Sequence, residues 1–421
     1  MKGYTKIIIV LILIAVILFI VFYNKRGNEG TNEEVFKGKI EIITDESHKP
    51  QLKLAASKFQ LLHQKVNIDV IAMNDINNNI KSILNSSKYN ADIITVGDSY
   101  VKYVLSESSD KVLEVASLIN PYKNIMLNNK IDNDTIEGKI YAVPWDTYPK
   151  ALIYRKDIFS KQGIDVSSIK TWSDYIEAGR KVSKSTGDIF IGNYQGDKSN
   201  IFLLLSNQLG TSYFNKNGEL DFQSSKWSRV VEILKILYGE GLIKDFNSES
   251  EVMASAQAGK LVSFIGDPTY AINLMKYSQD AGKWGIMKLP AFELGGNRDV
   301  SQGGVNLLIN KNTSSSQLVQ EFIKFTLTDD ELQMDLLNQY GRFPVNTNVY
   351  NFVNFNKNIS YFNSTIWNLF AGVEQGSFSI NYTKKFPEVK EITQDILTSD
   401  NIKNQDFKVI AENIEKSMKN K

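Results

Sequence analysis

The segment KIEIIT at residues 39–44 alternates like a β-strand, and it begins a run that indicates the fold class. Residues 50–63 then place apolar side chains at helical spacing, and VNIDVIA at 66–72 alternates again. A second helical pattern over 76–84 leads into DIITV at 92–96, which is typical of a buried parallel strand. Strands that alternate with helices predict an open α/β sheet.

The same alternation continues along the rest of the chain. We expect further strands at 140–143, 151–154, 261–265 and 305–309. TWSD at Thr171–Asp174 has the residues of a capping box and predicts a helix start. Two α/β lobes follow from this pattern, with ligands expected beyond the carboxyl ends of the strands.

Composition excludes several classes of function. The 421 residues carry a net charge of +1, which does not favour a nucleic-acid partner. Cysteine is absent, and the two histidines, His48 and His63, lie fifteen residues apart without a metal-binding pattern. The sequence has no P-loop, nucleophile elbow or dinucleotide-binding glycine motif. We therefore expect no metal, no cofactor and no enzyme activity.

The N-terminus contains an apolar run from Ile7 to Tyr23, flanked by Lys and Arg residues on both sides. As a helix it spans about 25 Å, near the lower limit for a bilayer core of roughly 30 Å. A cleaved signal peptide is the alternative, but no A-x-A-like cleavage site follows the run. We expect residues 1–6 in the cytoplasm, a transmembrane anchor at 7–23, a tether at 24–36 and the folded part outside the cell.

Six ordered blocks between residues 137 and 345 resemble one protein family. They are EGKIYAVP at 137–144, LIYRKD at 152–157, TW at 171–172, AGK at 258–260, GGV at 303–305 and GRFPV at 341–345. These blocks are similar to motifs of the family 1 extracellular solute-binding proteins, whose best-known members bind maltose and other oligosaccharides. Lys170 stands where that family usually has a proline before the TW pair.

The resemblance implies a two-lobed, periplasmic-binding-protein-like fold of type II with three interlobe crossings. The crossings are expected near 143–148, 288–292 and 326–330. These positions give an N-lobe of 37–143 and 290–328 and a C-lobe of 144–289 and 329–421.

The resemblance also implies a function. The chain would be the monomeric solute-binding subunit of an ABC importer, delivering a solute from the cleft to the permease subunits. An uncharged oligosaccharide suits the nearly neutral, aromatic-rich chain. A sensor module that presents its ligand to a membrane receptor or histidine kinase remains an alternative. A glycosidase with paired carboxylates is disfavoured because no catalytic motif accompanies the many acidic residues.

Saccharide sites combine aromatic rings with polar hydrogen-bonding side chains, and eleven residues are candidates for such contacts. They are Glu46, Asp98, Trp145, Asp146, Tyr148, Tyr194, Asp267, Tyr270, Gln302, Arg342 and Trp367. Other roles stay open for several of them. Trp145 and Trp367 also suit the core, Asp98 and Asp267 also suit helix caps, and Arg342 also suits a surface ion pair.

Overall fold

The computed structural model describes residues 36–86, 89–194 and 200–420. The predicted cytoplasmic residues 1–6, the predicted anchor at 7–23 and the tether up to residue 35 lie outside the described residues. Within the described ranges, no helix has both the length and the apolar character needed to cross a membrane.

In the described part of the chain, strands and helices are interleaved up to residue 309, and only helices follow. The strands are β1 (Gly38–Thr44), β2 (Val66–Ala72), β3 (Ile93–Gly97), β4 (Thr135–Ile136), β5 (Lys139–Ile140), β6 (Ala142–Pro144), β7 (Pro149–Arg155), β8 (Ile189–Tyr194), β9 (Ile243–Phe246), β10 (Leu261–Gly266), β11 (Trp284–Met287), β12 (Val300–Ser301) and β13 (Val305–Ile309). The helices of the first half are α1 (Lys49–Leu62), α2 (Ile76–Asn85), α3 (Asp98–Ser108), α4 (Ala116–Ile119), α5 (Asn128–Asn133), α6 (Lys156–Lys161), α7 (Trp172–Thr186) and α8 (Ile201–Gln208). Those of the second half are α9 (Ser225–Gly239), α10 (Glu249–Gln257), α11 (Pro268–Met275), α12 (Ser316–Thr328), α13 (Asp330–Tyr340), α14 (Ile366–Gly376), α15 (Phe386–Ile396), α16 (Ser399–Asn404) and α17 (Phe407–Lys419).

The first lobe is built on a sheet with the strand order β2-β1-β3-β13-β6. β1 pairs in parallel with β2 and β3, and β13 pairs antiparallel with β3 and β6. Successive side chains of a strand point to opposite faces, so Ile42 and Ile43 enter two separate apolar clusters. The predicted strands and helices between residues 39 and 96 are confirmed.

The second lobe is built on a sheet with the order β11-β7-β10-β8-β9, and β12 adds to β7. β7 is antiparallel to β10 and β11, whereas β8 is parallel to both β10 and β9. Leu152 of β7 faces one apolar cluster and Ile153 faces the other. The capping box before α7 is confirmed, because Thr171 and Asp174 each accept a hydrogen bond from the other's backbone N–H.

The chain passes between the sheets more than once. It leaves the first sheet after β6 and enters the second at β7, so residues 145–148 form the first crossing. β12 still pairs with β7 of the second sheet, and β13 is already in the first sheet. The second crossing therefore lies at 302–304, whereas the family resemblance implied a crossing near 288–292. Helix α13, which follows α12, packs against both lobes. Its Leu332 lies in the first-lobe core and its Leu337 lies in the second-lobe core.

Candidate functional site

A cleft between the lobes contains a cavity of about 240 Å³. Its first-lobe wall lies at the carboxyl ends of β1 and β3 and the start of α2, where ligands of open α/β sheets bind. That wall contributes Asp45, Ser47, His48, Asp75, Ile76, Asn77, Gly97, Asp98 and Ser99. The second lobe contributes Asn200, Leu203, Tyr213, Tyr382, Phe386 and Lys390. Tyr148 and residues 302–305 of the two crossings complete the cavity.

His48 joins the loop after β1 to the first crossing. Its Nδ1 lies 2.6 Å from Asp45 Oδ2, and its Nε2 lies 2.9 Å from the Tyr148 hydroxyl and 3.5 Å from Asp146 Oδ2. Burial alone would raise the pKa of Asp146, but the hydrogen bond and charge of His48, with other nearby cations, hold it below its usual value. Burial also raises the pKa of Tyr148 well above normal, so this hydroxyl is a neutral group at the cavity wall.

Asp98 lies where β3 ends, and it is held by two side chains of the first lobe. The Lys130 ammonium donates to Asp98 Oδ1, and Asn306 Nδ2 donates to the same oxygen at 2.9 Å. Asp98 is the first residue of α3, but Gly97 is the N-cap and the Asp98 side chain makes no capping bond. The carboxylate is thus oriented by an ion pair, at the cavity wall, instead of serving as the helix cap.

Gly304 makes room for this cluster at the second crossing. Its φ of +144° is one that residues with a Cβ rarely adopt. A Cβ on Gly304 would lie 2.5 Å from the Asp146 carbonyl oxygen and 3.2 Å from Asp98 Oδ2, and it would also overlap Lys130 Nζ. The crossing therefore requires glycine here.

Glu374 of α14 connects both crossings to the first lobe. Its carboxyl group accepts hydrogen bonds from Thr147 Oγ1 at 2.8 Å and from Asn129 Nδ2 at 3.3 Å. The Thr147 hydroxyl in turn lies 3.0 Å from the Ser301 hydroxyl. Burial raises the pKa of Glu374 above its ordinary value, although these hydrogen bonds oppose the rise. The group fixes where the two crossings lie relative to each other.

The second-lobe wall presents aromatic rings. Phe386 stacks on Tyr213 with ring centroids 5.0 Å apart, and it meets Tyr382 edge-on at 4.7 Å. Asn200 Nδ2 donates to the Tyr213 hydroxyl at 2.9 Å, while Asn200 Oδ1 caps α8 by accepting from Leu203 N. Aromatic side chains thus border the cavity opposite the carboxylates and amides of the first lobe.

Lys390 closes the cavity where the lobes touch. It projects from α15 and lies 5.8 Å from the ring of Tyr100 in α3 of the first lobe. Burial lowers the pKa of Lys390 to about 8. Because α15 and α3 belong to different lobes, this contact describes a closed arrangement of the cleft.

Three of the predicted contact residues line the cavity: Asp98, Tyr148 and Gln302. The side-chain carbonyl of Gln302 is buried and has no hydrogen-bond partner among the described residues, so it is a ready acceptor. Asp146 lies behind the wall, where its Oδ1 accepts from Val305 N at 2.7 Å. Ligand contact remains a prediction for these residues.

Two other predicted contact residues, Trp145 and Arg342, lie in the core of the crossing and do not line the cavity. The Trp145 indole N–H donates to Gln51 at 3.1 Å, and the Arg342 guanidinium lies 3.9 Å above the indole ring. Arg342 also donates to Gln333 and to the Trp145 carbonyl oxygen. Burial lowers the pKa of Arg342 to about 10. The indole turns inward because a buried partner is available for its N–H.

Five further candidates do not line the cavity. The Glu46 side chain is 69% exposed beside Lys49. Asp267 pairs with Lys150 at 2.9 Å and caps α11 through Thr269 N. The others, Tyr194, Tyr270 and Trp367, pack in or against the apolar cluster between the second sheet and α14.

The sequence analysis named no residue of the second-lobe wall, and it also missed His48 of the first lobe. The second-lobe residues are Asn200, Leu203, Tyr213, Tyr382, Phe386 and Lys390. Only His48 had a local signal, since it follows the first strand beside the predicted Glu46. In the described ranges, no group of His, Asp and Glu side chains is arranged to hold a metal ion.

Comparison with protein families gives a match over most of the chain. The model of a family described as bacterial extracellular solute-binding protein matches residues 45–333. The arabinooligosaccharide-binding protein of Halalkalibacterium halodurans is 26% identical over 266 residues, which are 60% of this chain and 59% of that protein. The chain thus matches about three fifths of that relative's length. The Bacillus subtilis protein of the same name is 25% identical over 291 residues, covering 68% of this chain and 67% of its own.

Solved structures share the fold. The GacH receptor of Streptomyces glaucescens, solved unliganded and with acarbose, superposes with a TM-score of 0.77 at 18% identity, covering 91% of this chain and 98% of the receptor. Maltose-bound MalE3 of T. maritima superposes with a TM-score of 0.75 at 20% identity, covering 90% and 99%. At these identities the superpositions establish a two-lobed architecture and leave the ligand open.

Proposed function

We propose a function from one established premise: this chain belongs to the family of bacterial extracellular solute-binding proteins. The resemblance seen in the sequence is thereby confirmed. Members of the family bind solutes and are not enzymes, which also confirms the prediction of no catalytic activity. From this premise we propose that the chain captures an uncharged oligosaccharide in the cleft between its lobes.

The observation that carries this proposal is the composition of the cavity wall. Tyr213, Tyr382 and Phe386 line one side of the cavity, and Asp98 and Asn77 supply polar groups on the other. Sugars have apolar faces and many hydroxyls, so they match a wall of rings opposed by hydrogen-bonding groups. The two arabinooligosaccharide-binding relatives support pentose oligosaccharides as the first class to test.

The way in which binding would be signalled follows from the closed cleft. We propose that the lobes are hinged at 145–148 and 302–304, with the third crossing near 326–330 as predicted. A ligand that contacts both lobes favours the closed arrangement by its higher affinity for it. The closed form is then the one delivered to the permease subunits of an ABC importer.

Location and attachment are part of the proposal. The apolar run at 7–23 supports a single-pass anchor that holds the binding lobes at the outer face of the membrane. A probable ABC transporter-binding protein of Deinococcus radiodurans is also among the relatives, which favours an importer subunit over the alternative of a sensor module.

A thermal-shift screen tests the ligand class. The full-length chain in detergent is heated with arabinooligosaccharides, maltooligosaccharides, peptides and polyamines. A ligand at 100 times its Kd stabilises the native state by about 2.7 kcal/mol, enough for a clear rise in Tm. We expect a rise with at least one oligosaccharide series. A rise with peptides or polyamines, and none with any saccharide, would refute the proposal.

A further inference from the structure

The last turn of helix α1 presents an apolar pair to solvent. Leu61 and Leu62 are 77% and 65% exposed. Among the large apolar side chains that the described residues leave exposed, only these two are neighbours in the chain. The core-facing side of α1 ends just before them, at the fully buried Phe59. Single exposed leucines are ordinary on protein surfaces, whereas an adjacent pair suits an apolar partner.

This pair lies where the chain enters the folded part. The ring of Phe36, the first described residue, meets the His63 ring edge-on at 5.4 Å, and His63 in turn packs on Phe59 at 4.4 Å. Gly38 N donates to the Lys65 carbonyl oxygen at 3.2 Å, which joins the start of β1 to the loop after α1. The segment that precedes the fold therefore arrives beside the leucine pair.

The length of that segment limits how far the pair lies from the bilayer. The proposed anchor ends at Tyr23, and Phe36 is thirteen residues further along the chain. Thirteen residues span at most about 45 Å, even when fully extended. A contact between the leucine pair and the bilayer is then intramolecular. An affinity too weak to recruit a free protein is therefore enough to hold this end of the fold on the membrane.

The surroundings of the pair favour a lipid partner. Residues 24–35 contain one large apolar side chain, Val35, among charged and small residues, so this segment offers little to cover two leucines. Lys37 and Lys65 are exposed on either side of the hydrogen bond that joins β1 to the loop. Their ammonium groups suit the phosphates of lipid headgroups. Leucines bordered by lysines match the boundary between headgroups and acyl chains.

We propose that Leu61 and Leu62 dock the first lobe on the outer surface of the phospholipid bilayer. This inference rests on the proposed anchor at 7–23 and extends it to an orientation of the lobes. The pair lies beside Gly38 and Lys65, at the amino ends of β1 and β2, whereas the cavity wall lies at the carboxyl end of β1. A docked first lobe therefore lies between the bilayer and the cleft, and the cleft is turned toward arriving solute.

Lipid contact is measured on the full-length chain in phospholipid vesicles. The chain has no cysteine, so Gln64→Cys, at an exposed position beside the pair, carries a single fluorophore. Spin-labelled lipids should quench this fluorophore strongly. Leu61→Ser combined with Leu62→Ser should weaken docking about ten-fold or more, because the apolar contact is lost. Quenching should then fall to the level of a fluorophore at Leu294→Cys, in the second lobe.

A matched double variant separates the leucine pair from exposed apolar surface in general. Leu294→Ser combined with Val353→Ser removes two side chains that are 78% and 79% exposed elsewhere on the protein. It should leave the quenching of the Gln64→Cys fluorophore unchanged. Both double variants should keep the native Tm in detergent, because all four side chains are exposed.

The outcomes distinguish docking from the proposed anchor. Resistance to extraction by alkaline carbonate reports the anchor without using the fluorophore. If carbonate extracts the chain, the anchor is wrong and the docking inference falls with it. If the chain resists extraction but lipid quenching is absent, or is equally strong without the leucines, the anchor stands and docking is wrong. Fluorescence that depends on protein density and not on the lipid quencher would make the pair a contact between two copies, which also overturns the inference.

Discussion

Replacement of Asp134 by asparagine should stabilise the protein at neutral and alkaline pH. Asp134 lies at the end of α5, fully buried, and neither carboxylate oxygen has a hydrogen-bond partner in the part of the chain the structure describes. Burial raises its pKa well above the ordinary value; Lys130 opposes the rise and Asp98 adds to it. When Asp134 is protonated it carries no charge, and the Lys130 ammonium forms its ion pair with Asp98 at the cleft wall.

The pH dependence has a definite sign. A carboxyl group with a raised pKa in the fold binds its proton more tightly there than in the unfolded chain. Its stabilising contribution is complete below the unfolded pKa of about 3.9, and it is lost as the pH rises through the folded pKa. Asparagine stays uncharged at every pH, so it avoids the cost of protonating or burying the carboxylate, which is about 1.4 kcal/mol for each unit by which the folded pKa exceeds the unfolded pKa. Asp134→Asn should therefore be more stable than the native protein by more than about 1 kcal/mol at pH 8 and by much less at pH 4.

Urea unfolding at pH 4, 6 and 8, followed by tryptophan fluorescence, measures this difference. Asp132→Asn is the matched control, because Asp132 is exposed on the same short helix. The control should change stability by a few tenths of a kcal/mol at any pH. A destabilised Asp134→Asn at pH 8, or a difference that does not grow with pH, would show that the reasoning about this carboxyl group is wrong.

Three further predictions concern the cleft. Gly304→Ala should lower the free energy of unfolding by about 2–4 kcal/mol in urea titrations, because the added Cβ is strained and overlaps its neighbours. Gly372→Ala, at an open position within α14, is the control and should not lower the free energy of unfolding. Equal effects of the two substitutions would contradict the steric argument. Tyr148→Phe removes the hydroxyl that meets His48 and should weaken saccharide binding about five- to ten-fold by calorimetry; unchanged affinity would place Tyr148 outside the ligand's reach. Glu46→Gln should leave affinity unchanged in the same assay, and a large loss would return this exposed residue to the site.

Much of the fold was predictable because its signals are local. The period of the apolar residues between 39 and 96 follows from which face each strand and helix buries, and the structure has those elements at the expected places. The capping box at Thr171–Asp174 was predictable for the same reason, since its two reciprocal bonds span four residues. The middle crossing was misplaced because β12 contains two residues and leaves no periodic pattern.

The site was less predictable, because its walls join segments that are far apart in the chain. Helical spacing shows that Phe386 and Lys390 lie on one face of α15, but it does not show that this face meets α3 of the other lobe. Trp145 illustrates the opposite case. Its position at the crossing was predicted correctly, yet the indole turns into the core because its N–H meets Gln51. Side-chain direction at a crossing depends on such distant partners.

The central claim is that a saccharide holds the two lobes together, and one distance measurement tests it most directly. The chain has no cysteine, so Leu61→Cys and Leu294→Cys, both at exposed positions in different lobes, place two spin labels without background. Double electron–electron resonance measures the distance between the two labels. Addition of the best-binding saccharide should convert a broad interlobe distance distribution into a narrow one. Saturating saccharide that leaves the distribution unchanged would contradict the account.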